Sequence, residues 1–122
     1  MHLLIDGFDC PEDLLASEEV VHNFLDGLPD EIGMLKITEP KVLTYNGAVP
    51  EDWGVTGFVV IAESHISVHT FAGRGYINVD VFSCKDFDAD FVEKRVIETF
   101  AMRESKTILH NRGLTDLEAR NS

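Results

Sequence analysis

The densest run of side chains able to do chemistry is Glu63-Ser64-His65-Ile66-Ser67-Val68-His69-Thr70. Ile66 and Val68 alternate with His65, Ser67 and His69, which predicts a strand carrying the polar groups on one side. A hydroxyl becomes a nucleophile when a neighbouring base takes its proton, and an imidazole is such a base near neutral pH. Two histidines four residues apart also suggest a zinc helix. No glutamate directly follows His65, however, and the alternation belongs to a strand, so no metal is expected. Taken alone, these hydroxyls and imidazoles equally pair across a sheet or face water. Cys10 and Cys84 are too few for a disulfide framework and lack metal-knuckle spacing. Cys84 follows a β-branched run, where it reads as a small packed hydrophobe. Cys10 reads as packing near a helix start.

The elements that must position this run follow from periodicity. His2–Gly7 reads as a first strand, Asp9-Cys10 as a turn, and Pro11 as the first position of a helix. Leu14, Val21, Leu25 and Leu28 recur at helical spacing, with Val20 and Phe24 widening the stripe and Gly27 and Pro29 ending it. From Gly33 to Asn46 the pattern is extended, broken at Pro40. Asn46-Gly47 signals a turn, and Phe58–Ala62 reads as a buried strand. Gly73-Arg74-Gly75 turns the chain between the histidine-bearing strand and Tyr76–Phe82. Asp88 can cap a second helix with Val92, Val96 and Phe100 on its apolar face. Lys106–His110 is an edge-like strand, and the tail after Gly113 reads as loose. Consecutive strands without intervening helices require antiparallel pairing. The expected fold is a single α+β domain over residues 1–122, a two-layer sandwich with both helices on one face of a mainly antiparallel sheet. The uncovered sheet face invites dimerisation.

Composition narrows the partners. The 122 residues are 44% hydrophobic and 26% charged, as in an ordinary globular domain. A net charge of −12 repels a phosphate backbone and attracts a cationic small molecule, so nucleic acid is excluded as the expected partner. No apolar run approaches the ~20 residues of a membrane span. The opening Met1–Asp6 has no basic leader, and a cytoplasmic protein is expected.

The string Glu63–Thr70 resembles the self-cleavage segment of the small-chain bacterial and archaeal S-adenosylmethionine decarboxylases. The likeness extends over nearly the whole chain: His2–Asp6 with Cys10, Gly54–Ala62 before the cleavage point, and Asp80-Val81-Phe82-Ser83-Cys84 in the strand of the catalytic cysteine. This resemblance implies a proenzyme that cleaves itself between Glu63 and Ser64. The Ser64 hydroxyl would attack the Glu63 carbonyl, His69 would act as the processing base, and elimination would leave dehydroalanine, which hydrolyses to a pyruvoyl group in place of Ser64. Thr56 stands where many members carry a serine that supports processing. The pyruvoyl group would replace pyridoxal phosphate, taking the substrate amine as a Schiff base and accepting the electrons released with CO2. Cys84 would return a proton to the former α-carbon. The product would serve spermidine biosynthesis, and two processed protomers would pair into a four-layer αββα homodimer.

Departures from the family concern substrate binding. Phe71-Ala72-Gly73 stands where many members have Trp-Pro-Glu, so an aromatic ring remains and a ribose-binding carboxylate is missing. Losing such a bond costs ~1.5–3 kcal/mol, up to about a hundredfold in binding. Trp53 can supply a ring face, and Glu51 or Asp52 can meet a cation. Those acids motivate an alternative, decarboxylation of arginine or ornithine by the same machinery. A further alternative is a non-catalytic partner subunit that does not process, against which intact Ser64, His69 and Cys84 argue.

Overall fold

Alternation along His2–Phe8 (β1) buries Leu3 and Ile5 on one side and turns Leu4, Asp6 and Phe8 to the other. Two shorter strands come next in the chain, β2 (Leu35–Lys36) and β3 (Lys41–Tyr45). The alternation of β1 then repeats in β4 (Gly54–Ala62), β5 (Ser64–Phe71) and β6 (Tyr76–Phe82). With β7 (Glu104–His110) they form one antiparallel sheet in the order β2-β4-β5-β6-β1-β7, and β3 also pairs with β4. The structure, a computed structural model, describes residues 1–112 and 114–121. Pro40 separates β2 from β3, as the sequence predicts. The run Phe58–Ala62 is not buried on both sides: Val59 and Ile61 face the core, whereas Phe58 lies on the other face and is 46% exposed.

The first helical region departs from the sequence reading. Instead of one helix to Leu28 there are two, α1 (Glu12–Leu15) and α2 (Glu18–Glu31). Ser17 causes the break, because its hydroxyl accepts the Val20 N–H at 3.1 Å and starts a new helix with Glu18 and Glu19 at the positive end. The break shifts the buried position from Leu14 to Leu15. Gly27 and Pro29 lie inside α2 and do not end it. The stop is Gly33, at φ +70°, where the Gly33 N–H reaches the Asp30 carbonyl and the Met34 N–H the Pro29 carbonyl. That pair of bonds closes the helix and requires the left-handed backbone that glycine adopts freely. Pro29 is tolerated because, in the last turn, it forgoes only one ladder bond.

Helix α2 packs on β4 and β5, and α3 (Ala89–Phe100) packs on β1 and β7, so both cover the same face. Phe24 and Phe100 meet edge to face at 5.5 Å and join the two helices. Each fully buried ring of this kind stabilises the fold by ~1.5–3 kcal/mol. Asp88 caps α3 through the Phe91 N–H, and Val92, Val96 and Phe100 are buried, as the spacing predicts. The region expected as a loose tail contains a helix instead, α4 (Leu114–Asn121), with Asp116 in its first turn and Arg120 in its last, matching the helix dipole. Gly113 and Ser122 lie outside the described residues.

Candidate active site

The hairpin β4–β5 places the expected cleavage point at its tip. Ile61 pairs with Ser64, so Ala62 and Glu63 form the turn, and the Glu63 side chain is exposed. The Ser64 hydroxyl accepts the Cys84 backbone N–H at 2.9 Å. The Cys84 thiol lies 3.5 Å from the Glu63 carbonyl oxygen and donates to it. Thus the hydroxyl, the carbonyl it would attack and a weak proton donor converge within one hairpin tip and the end of β6. A donor on that oxygen stabilises the negative charge that develops during attack. On the outer sheet face beside this tip, Val60, His65, Phe82, His2 and His110 stand in register across five strands. His2 and His65 each lie 5.6 Å from the Phe82 ring.

The expected processing base is elsewhere. Thr56, His69, Asn78, Asp6 and Lys106 form a second row across the same face. His69 Nδ1 is 3.2 Å from the Thr56 hydroxyl, so the two residues expected to support processing meet each other. His69 and Ser64 are five residues apart on one extended strand, roughly 16 Å at ~3.3 Å per residue. The alternation also turns their side chains to opposite faces. Within one chain, then, Ser64, Glu63 and Cys84 come together, and Thr56 and His69 come together, but the two groups do not.

A cavity of about 330 Å³ opens beside His69, lined by Thr56, Phe71, Asp52, Tyr45 and Asn78 among others. Of the residues expected to bind substrate, it includes Phe71 and Asp52. The Asp52 carboxylate is already engaged by Arg74 at 3.2 Å. Glu51 contributes its backbone carbonyl to the same arginine at 3.4 Å. Trp53 packs at a neighbouring cavity of about 490 Å³ with Asn46, Gly47 and Pro50. The sequence reading missed Tyr45, Asn78 and Asp6. Asn78 donates to Asp6 at 2.7 Å and to the Tyr76 hydroxyl at 2.8 Å, and Tyr76 stacks between Phe71 and Phe8 at 5.4 and 5.3 Å. Their signal was the polar set Tyr76-Asn78-Asp80, alternating with Ile77, Val79 and Val81 in β6.

Cys10 is buried, and its backbone N–H reaches the Gly75 carbonyl at 3.0 Å. Burial, assisted by Asp9, pushes its thiol up to about 11, so it stays protonated at neutral pH, as a packing residue would. Among the described residues no cluster of His, Cys, Asp and Glu could hold a metal ion, and no helix is long and apolar enough to cross a membrane.

The chain matches the S-adenosylmethionine decarboxylase family model over residues 1–113. It is 36% identical over 85 residues to the S-adenosylmethionine decarboxylase proenzyme of Archaeoglobus fulgidus, covering 70% of either chain. It is 30% identical over 114 residues to the proenzyme of that name from Thermodesulfovibrio yellowstonii, covering 93% of this chain and 80% of that one. Its fold is similar to a crystal structure of the adenosylmethionine decarboxylase from Aquifex aeolicus, with a TM-score of 0.77, 26% identity and coverage of 93% and 89%.

Proposed function

The chain belongs to the S-adenosylmethionine decarboxylase family, and from that premise we propose a cytoplasmic, self-processing decarboxylase of S-adenosylmethionine whose catalytic carbonyl is made from Ser64. The observation that carries the reading is the convergence of the Ser64 hydroxyl, the Glu63 carbonyl and the Cys84 thiol at one hairpin tip. The Cys84 N–H orients the hydroxyl toward its task, and the thiol polarises the carbonyl under attack. Attack forms the Ser64 Oγ–Glu63 carbon bond and breaks the Glu63–Ser64 amide, leaving an ester. Removal of the Ser64 α-proton then expels the Glu63 carboxylate and leaves dehydroalanine, whose imine form takes up water and releases ammonia. A pyruvoyl group, once formed, supplies an electrophilic carbonyl and an electron sink for decarboxylation. The surrounding residues fit that group, because the position it would occupy already faces a thiol able to return a proton.

The base for processing comes, in this reading, from a second copy. The outer sheet face is uncovered and bears Phe58, Leu43, Tyr45 and Ile108 at 45–63% exposure. A two-fold axis lying in the interface, parallel to the sheet face and running along the middle row Phe58-Ser67-Asp80-Leu4-Ile108, stacks the two open faces and lays the Ser64 end of one protomer over the His69 end of the other. Two composite sites result, and the four layers become αββα. Such an obligate interface buries on the order of 2,000 Å² or more. Sedimentation at sub-micromolar concentration tests it, with a dimer expected; an active monomer of 13.6 kDa would overturn it.

The engagement of Asp52 by Arg74 leaves that acid less free for a basic amino acid, which favours S-adenosylmethionine over arginine or ornithine. Decarboxylation of the three compounds in parallel by purified protein decides the substrate. Release of CO2 from S-adenosylmethionine is expected. Turnover of arginine or ornithine alone would transfer the reading to those substrates, and no turnover of any would favour a non-catalytic subunit.

A further inference from the structure

Cys84, whose backbone N–H meets the Ser64 hydroxyl, lines a cavity of about 290 Å³ whose walls also include Lys85, Asp86, Arg112 and Glu118. The Arg112 guanidinium sits 4.6 Å over the Phe82 ring, and Phe82 pairs across the sheet with His65, the residue after Ser64. Arg74 and Arg95 are matched with Asp52 and Glu31, as expected in a chain with 22 acidic residues. Among the described residues no carboxylate comes within 4.0 Å of Arg112, although Asp86 and Glu118 line the same cavity. A ring face fixes a guanidinium without consuming its N–H donors on an acceptor. The result is a held planar cation with no carboxylate in contact among the described residues, in the cavity that Cys84 also lines and in a protein whose overall field repels anions.

We infer that Arg112 anchors the substrate α-carboxylate. The inference rests on the decarboxylase reading but not on the choice of substrate, because S-adenosylmethionine, arginine and ornithine all carry this group. The carboxylate is bonded to the carbon that Cys84 would protonate, so it must lie within a few ångströms of the thiol. Arg112 presents the bidentate donor fork suited to a carboxylate, whereas Lys85, on the same wall, is a flexible point charge. The attraction is strongest before the carboxylate leaves as neutral CO2. Arg112 therefore governs substrate binding and orientation more than the chemical step, and it releases its hold on the decarboxylated product.

Arg112→Gln, Arg112→Lys and Lys85→Gln, each processed to the 1–63 and 64–122 fragments as a check on folding, separate this role from packing. The measurements are KM for S-adenosylmethionine, the inhibition constant of its decarboxylated product, and the mass of the borohydride-stable amine adduct on the 64–122 fragment. Arg112→Gln is expected to raise KM by about 10- to 100-fold and to leave the product constant within about twofold. Arg112→Lys should recover part of the loss, and Lys85→Gln, which removes a flexible charge from the same wall, should raise KM by much less than Arg112→Gln. Both constants rising together in Arg112→Gln, neither moving, or the split following Lys85, would overturn the assignment. A wild-type fragment that takes no adduct from substrate or product would instead overturn the decarboxylase reading, and the anchor with it.

Discussion

The two ends of the open sheet face are built alike and equipped differently. Each is a five-strand register row, four residues apart along β5 and β6. The row next to Ser64 is aromatic and imidazole-rich, with Phe82 between His65 and His2. The row at His69 is a hydrogen-bonded set in which Thr56 meets His69 and Asn78 meets Asp6. In the proposed reaction one end holds the bond to be broken and a proton donor, and the other holds the base. A rigid strand keeps them apart, since no rotamer spans roughly 16 Å. In the proposed dimer, residues close together in one motif serve the same reaction in different protomers.

Removing the nucleophile is the most severe way to break this comparison. Ser64→Ala should stay one chain of full length and lose decarboxylation altogether, read by intact mass and CO2 release. Cleavage of that variant between residues 63 and 64 would show that the hydroxyl is not the nucleophile.

Next in size is removal of the base. His69→Ala should slow processing by about 10²–10⁴. The sharper measurement is co-expression with Ser64→Ala. A mixed dimer then owns one intact composite site, and the His69→Ala chain, identified by mass, should be the one cleaved. If both chains stay whole in verified mixed dimers, Ser64 and His69 act within one protomer and the two-end picture fails.

Cys84 distinguishes the two steps within the first end. Cys84→Ala should lower turnover by about 10²–10⁴, the usual worth of a positioned acid–base group. Cleavage should persist at a reduced rate, because the thiol is only a weak donor to the Glu63 carbonyl. Near-normal turnover would remove Cys84 from the site.

The smallest catalytic effect belongs to Thr70, the neighbour of His69 on the opposite face of β5. Its buried hydroxyl accepts the Val55 N–H at 2.8 Å and donates to the Leu15 carbonyl at 2.7 Å. Thr70→Val should cost about 1–3 kcal/mol of stability in denaturant titration while leaving processing intact. A processing defect without a stability loss would extend the site through the sheet.

Much of this architecture was legible in the chain. Ile66 and Val68 against His65, Ser67 and His69 gave the strand and its two faces, because the period of two is a property of extended backbone. Asp88 with Val92, Val96 and Phe100 gave α3, and the string Glu63–Thr70 with Cys84 pointed to the family that the comparisons show. The errors were local contests between neighbouring signals. Ser17 offered a cap inside what periodicity joined, and Gly33 outcompeted Gly27 as the stop because only Gly33 can take the left-handed turn that satisfies the last carbonyls of α2.

The sequence by itself determined which groups are candidates for chemistry and which face of each strand they occupy. Tertiary structure alone decided their company. Cys84 is 20 residues from Ser64 and reaches it only through the pairing of β5 with β6, while Arg112 meets Phe82 only because β7 docks beside β1. Thr56 meets His69 through the register of one hairpin, whereas Ser64, five residues away on that same strand, is held out of reach. Spacing along the chain sets the direction of a side chain through local backbone geometry. Which other side chain it meets is set by strand register and sheet order, which depend on burying Leu3, Ile5, Ile66, Val68, Val79 and Val81 together beneath α2 and α3.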